Sequence, residues 1–276
     1  MKFTDGYWQV REGVTIHNPV EVRDVRVTED ALYVYAATRH VRHKGDTLNA
    51  TLLTIKFSAP RKDIIRCEYV HHAGRRKRPP EFTLYEDSVD VVIRDTEEEA
   101  SLTSGKLTVR IAKGDAWKIA YEYDGKPLTY TGYKGAATIS VDGEGDYMRE
   151  QLRLGVGEYV YGMGERFTPF VKNGQVVDIW NEDGGTSSEQ AYKNIPVYVS
   201  NYGYGVFVNH PERVSFEVAS ENVSRVQFSV PGERLDYCVI GGADLKDVLA
   251  NYTALTGKPA RPPAWSFGLW LTTSFT

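Results

Sequence analysis

Strict two-residue alternation constrains this chain more than any other feature. Between Lys106 and Ile111, the apolar residues Leu107, Val109 and Ile111 alternate with polar neighbours. Successive side chains of a strand point to opposite faces, so this period makes a half-buried strand and excludes an amphipathic helix over the same residues. Trp117, Ile119, Tyr121 and Tyr123 repeat the pattern, and Asp124-Gly125 then supplies a tight turn, which predicts a hairpin into the next segment. Comparable short runs occur at 32–35, 52–57, 89–93, 138–141, 206–209, 226–230 and 237–240, with Gly, Pro, Asp and Asn between them. Many short strands with that punctuation predict a mainly β fold, a large antiparallel β-sandwich. No internal repeat or low-complexity linker interrupts it.

One segment breaks the period. From Asp244, apolar residues fall at Leu245, Val248, Leu249, Tyr252 and Leu255, the spacing of one helical face. Asp244 is placed to cap the start, and Gly257 followed by Pro259 is a stop signal. A lone helix after a long β region, followed by a Pro-rich passage, predicts a domain boundary near 257–263. Beyond it, residues 264–271 are nearly continuous apolar sequence, as expected of a strand buried on both faces in a parallel sheet or barrel. Such a strand needs neighbours for its backbone groups. The run 262–276 is therefore expected to open a further domain, and the chain to be the front portion of a larger enzyme. Without that sheet, the residues from Trp265 onward are expected to be disordered or irregularly packed.

Composition excludes several classes of function. The formal net charge is -4, and the one basic cluster, Arg75-Arg76-Lys77-Arg78, runs into Pro79-Pro80, which is the mark of a solvated loop. A nucleic-acid footprint needs a wider basic face. Glu97-Glu98-Glu99 likewise predicts a solvated loop. No run of about 18 apolar residues is present, so no membrane-spanning helix is expected. Met1-Lys2-Phe3-Thr4-Asp5 lacks the apolar stretch of a signal peptide, so a cytoplasmic location is expected. Cys67 and Cys238 lie in strand-like segments and are expected to be buried thiols rather than a disulfide. His40 and His43, and His71 and His72, form close pairs without the spaced carboxylate or Cys of a closed site, so no metal is expected.

Two segments carry potential chemistry. Tyr161-Gly162-Met163-Gly164-Glu165-Arg166-Phe167 imitates a dinucleotide fingerprint but has Phe167 at the third glycine position, with no helical pattern after it. It predicts a tight turn in which Glu165 and Arg166 satisfy nearby backbone groups. From Trp180 to Tyr192, side chains of every hydrogen-bonding type crowd around Gly184-Gly185. Such a loop either presents carboxylates and hydroxyls to a polyhydroxylated ligand or is solvated, with Asp183 making a local Asx-turn; composition leaves both readings open. Tyr and Trp enrichment, with 12% aromatic residues and 18 Tyr, suits half-buried strands and sugar binding alike.

Taken together, the turn 161–167, the stretch 180–196, Asn209-His210-Pro211 and the tail 263–276 resemble glycoside hydrolase family 31, and within it the bacterial α-xylosidases. The resemblance implies a galactose-mutarotase-like sandwich over 1–257, and over 258–276 a linker and the first strand of a (β/α)8 catalytic barrel. It implies a retaining reaction on α-linked xylose at the end of an oligosaccharide, or on α-glucose as in related enzymes, by two aspartates with no cofactor and no metal. Both aspartates of the family lie on later barrel strands, so no catalytic residue is expected within these 276 residues, and the chain is expected to be inactive alone. Two positions carry over as substrate-binding. Asp183 matches the sandwich loop that reaches over the barrel mouth. Phe275 matches an aromatic at the end of the first barrel strand, where it crowds the space a hydroxymethyl group would need. Two other roles stand beside this one: a carbohydrate-binding module without catalysis, and a subunit-assembly surface, the full-length enzyme being expected to form a homo-oligomer.

Overall fold

The computed structural model describes residues 1–6, 8–48, 50–74, 82–114, 116–183 and 187–271. Its main layer is an eight-stranded antiparallel sheet in the order Val160–Gly162, Val197–Ser200, Tyr204–Val208, Arg234–Gly241, Ile64–Val70, Leu52–Arg61, Ala31–Ala37, Glu21–Val27. Two sheets form the facing layer. One has six strands, in the order Gln175–Ile179, Val214–Val218, Arg225–Pro231, Gly145–Arg153, Ala137–Val141, Val14–His17. The other has five: Lys126–Thr131, Ile119–Tyr123, Leu107–Ala112, Glu99–Ser104, Val91–Asp95. They meet where Thr129 Oγ1 donates to the Arg153 carbonyl at 2.7 Å.

The alternation sets the inner face. Leu107, Val109, Ile111, Ile119 and Tyr121 are fully buried, Leu107 pairs with Tyr123, and across the expected hairpin Tyr123 pairs with Lys126. The Asp124-Gly125 turn follows, leading into Lys126–Thr131 with both residues at positive φ. A large apolar core joins all three sheets, including the ring pair Phe228 and Tyr237, whose centroids lie 5.1 Å apart. Glu150 is a carboxylate buried within it. Glu150 accepts the hydroxyls of Tyr69 at 2.8 Å and Tyr237 at 3.2 Å and the amide of Gln151 at 2.8 Å, and Tyr237 contacts the Tyr121 hydroxyl at 3.0 Å. Burial pushes the Glu150 carboxyl above its ordinary value, against the pull of those hydrogen bonds.

Several strands have both faces covered, which explains why their sequences do not alternate. The helix Leu245–Thr256 lies on the outer face of the eight-stranded sheet, where Val248 and Leu255 pack with Ile64, Phe207, Cys238 and Ile240. Asp244 caps it by accepting from the amides of Lys246 and Asp247 at 2.8 and 2.9 Å, and Gly257 ends it at φ 96°. Cys67 and Cys238 are buried free thiols on adjacent strands.

Some expectations change. The strands expected at 89–93 and 206–209 run instead over Val91–Asp95 and Tyr204–Val208. Asn209 follows directly, its amide donating to the Asp236 carbonyl at 2.8 Å and its side chain to the Asp236 carboxylate at 2.9 Å. Glu99 is not part of a solvated loop but opens a strand and pairs with Arg110 at 2.6 Å. The strand expected over 264–271 is not formed. Ala264–Phe267 is a short 3-10 helix, and Trp265, Leu269 and Leu271 stay exposed. With no described strand beside it, the segment closes hydrogen bonds locally, from Ser266 to Pro263 and from Gly268 to Trp265, which is the irregular packing expected of it. Phe275 and the basic cluster 75–78 lie outside the described residues.

Candidate functional site

The site is built on an edge. Gln175–Ile179 borders the six-stranded sheet, and the chain leaves it at Trp180. Asn181 bridges to Ala191 and the Glu182 amide donates to the Ala191 carbonyl at 3.1 Å, which closes the base of the segment that carries Asp183.

Asn194 holds that base from below. Its amide nitrogen lies 2.8 Å from the Trp180 carbonyl, 2.9 Å from Asn181 Oδ1 and 2.7 Å from the Ala191 carbonyl. Its side-chain oxygen accepts from Arg166, which also donates to the carbonyls of Met163 at 3.2 Å, Glu189 at 3.0 Å and Asp178 at 2.5 Å. One guanidinium thereby ties together the 161–167 turn, the edge strand and the loop. Burial lowers its affinity for the proton, and the nearby Asp178 carboxylate opposes this.

The glycines of the turn bring Arg166 there. Gly162, Met163 and Gly164 all have positive φ, and the amides of Met163 and Glu165 donate to the carbonyls of Val197 and Lys193 at 2.8 and 3.0 Å. A Cβ on Gly164 would stand 2.0 Å from the Lys193 oxygen, so that contact requires glycine. The predicted backbone role therefore holds for Arg166. Glu165 instead forms an exposed ion pair with Lys193 at 2.9 Å.

Asp183 accepts the hydroxyl of Tyr192. That bond raises the Tyr192 phenol above its ordinary value, with a smaller contribution from desolvation. Arg213 tethers the flank, 3.3 Å from Asp178 and 3.7 Å from Glu182, with its guanidinium 5.8 Å from the Trp180 ring centre. Beside the clamp opens a shallow cleft of about 330 Å³ lined by Phe82, Trp180, Asn181, Asn194, His210 and Glu212. His210 Nε2 is buried there without a hydrogen-bond partner, and burial holds its pKa below the ordinary value against the opposing charges of Glu212 and Asp236.

His40 sits 2.9 Å from Glu21, His43 3.5 Å from Asp46 and His71 3.0 Å from Glu233, as single histidine–carboxylate contacts. Among the described residues, no group of three or more His, Cys, Asp or Glu is placed to hold a metal ion. Among the described residues, no helix is long and apolar enough to cross a membrane. Sequence reasoning missed Asn194 and Arg213. Each is a lone polar residue whose role follows from what the fold places beside it.

Residues 54–217 match the family profile described as "Glycosyl hydrolase 31 N-terminal galactose mutarotase-like domain". The chain is similar to the α-xylosidase XylQ of Lactiplantibacillus pentosus, with 47% identity over 277 residues that cover all of this chain and 36% of that protein. It is also similar to an α-xylosidase of Emericella nidulans, with 45% identity over all of this chain and 38% of that protein. The chain thus spans little more than a third of these curated relatives. In fold it resembles the family 31 dextranase of Flavobacterium johnsoniae, with a TM-score of 0.74 and 21% identity over 91% of this chain and 30% of that one. The cycloalternan-forming enzyme of Listeria monocytogenes matches with a TM-score of 0.75 and 23% identity over 93% of this chain and 24% of that one. The profile spans more than half of the sequence and the sandwich fold agrees with it, so this chain belongs to glycoside hydrolase family 31, as its amino-terminal galactose mutarotase-like domain.

Proposed function

We propose that this chain acts as the sandwich domain of a retaining α-xylosidase, supplying the Asp183 loop to the substrate pocket of a (β/α)8 barrel and performing no hydrolysis alone. In this reading residues 1–257 are the sandwich and 258–276 lead into the barrel, with Phe275 against the xylose ring. The observation that carries the proposal is the clamp. Arg166 and Asn194 fix the base of a loop that carries a carboxylate paired with a phenol, an arrangement suited to accept and donate hydrogen bonds to sugar hydroxyls. Similarity to two α-xylosidases over the whole chain supports xylose as the substrate. Retaining hydrolysis needs a nucleophile and an acid on opposite sides of the glycosidic bond, and the family pattern puts both on later barrel strands. The purified chain is therefore expected to leave a chromogenic α-xyloside intact. Turnover above background would overturn its inactivity.

Binding without catalysis has an observation of its own in its favour. Trp180 is half exposed at the mouth of the cleft with Phe82 beside it, and flat aromatic faces of this kind take sugar rings. Calorimetric titration with xyloglucan fragments separates the two, since saturable heat from the chain alone would favour the module.

A further inference from the structure

Where the five-stranded and six-stranded sheets meet, three cations converge on one ring. Tyr130 lies in the edge strand Lys126–Thr131, and its ring centre is 5.0 Å from Lys118 Nζ and 5.6 Å from the Cζ atoms of both Arg153 and Arg225. The strand register explains the gathering. Tyr130 pairs with Ala120, so Lys118, two residues earlier, is on the same face. Arg153 and Arg225 are direct cross-strand partners at the ends of Gly145–Arg153 and Arg225–Pro231. The bond from Thr129 Oγ1 to the Arg153 carbonyl fixes that corner beside Tyr130.

This placement is unfavourable as it stands. Like charges directly opposite each other in an antiparallel pair repel. None of the three makes an ion pair with a carboxylate among the described residues, although the chain as a whole carries a net charge of -4. Elsewhere in the fold its arginines find acids: Arg66 takes Asp236 through two bonds at 2.9 and 2.6 Å, and Arg110 takes Glu99 and Glu122. Arg225 differs, because its Nε and Nη1 are covered yet have no acceptor. A ring face attracts one cation modestly and does not neutralise three. Lys118 and Arg153 are exposed, so the cluster is open to solvent on their side.

We propose that Lys118, Arg153 and Arg225, gathered on the ring of Tyr130, form a binding site for a small dianion of the phosphate or dicarboxylate type. Guanidinium groups match oxyanion geometry and the ammonium adds a point charge, so a divalent oxyanion would offset the mutual repulsion of the three. None of these residues belongs to the Asp183 clamp, so the site stands apart from the proposed part in xyloside hydrolysis.

The test titrates the whole chain with inorganic phosphate and with succinate at constant ionic strength, using chloride as the balancing anion. Calorimetry is expected to show one saturable site, and the melting temperature should rise with ligand concentration. Arg225→Gln is expected to weaken phosphate binding about tenfold, and Lys118→Gln about threefold with an unchanged melting temperature in the absence of ligand. Should Arg225→Gln fail to fold, the exposed pair Lys118→Gln and Arg153→Gln decides by the same loss. Heats that follow ionic strength alone, or an affinity that neither variant alters, would overturn the site. Sedimentation distinguishes the source of the oxyanion. An association of chains that needs Arg225 and is dissolved by phosphate would also overturn it, because the acceptor would then be a carboxylate of a second copy.

Discussion

The guanidinium of Arg166 donates to the side-chain oxygen of Asn194, and through that contact the glycine-rich turn and the loop carrying Asp183 share one foundation. Arg166 adds three carbonyl acceptors and Asn194 reaches three more oxygens, so neither can be lost without orphaning groups on the other side.

Arg166→Leu is therefore expected to destabilise the chain by about 1–2 kcal/mol, since four acceptors, two of them part-buried, lose a charged donor. The loss should be local before it is global. Hydrogen exchange over 180–194 is expected to accelerate in the variant while the core strands 107–112 and 234–241 keep their protection. Uniform acceleration would mean that Arg166 serves the whole sandwich rather than the loop.

Gly164→Ala separates space from conformation. Its new methyl would meet the Lys193 carbonyl at 2.0 Å, at a position with φ 92°. Gly174 has a similar φ of 86° but nothing within 4 Å. Thermal unfolding is expected to show Gly174→Ala costing about 1 kcal/mol and Gly164→Ala at least about 2 kcal/mol more. Equal costs would show that the turn does not depend on its close approach to Lys193.

The sandwich was legible in sequence where one face of a strand is wet. The segments around 107–111 and 119–123 alternate because their outer faces remain partly open. Tyr204–Val208 gave no such signal, since all five of its residues are buried and Val206, Phe207 and Val208 follow one another without a polar break. The helix was legible because its cap, its apolar face and its closing glycine all agree. The site was legible only in part. Polar crowding marked the Asp183 loop, but Asn194 and Arg213 become partners only when strands distant in sequence bring them together. The segment 264–271 was legible as an apolar run that needs neighbours to become a strand, and with no described strand beside it here it stays irregular.

His210 gives the pH dependence a sign. Burial holds its pKa below the ordinary value, so the unfolded chain takes up the proton first and stability falls as pH drops below about 6.5. His210→Gln removes that contribution. Denaturant unfolding is expected to show the variant losing less stability than the parent chain between about pH 7.5 and pH 5.5. Parallel losses would show that another group carries the titration.

Asp183 bears the central claim most directly. The decisive measurement is kcat/KM for an α-xyloside in a polypeptide that joins this chain to a family 31 barrel, comparing Asp183→Ala with the parent. A loss of roughly tenfold or more, equivalent to about 1.4 kcal/mol of transition-state stabilisation, is expected with an unchanged melting temperature. An unaltered kcat/KM in the folded variant would contradict the account and leave the loop without a part in the substrate pocket.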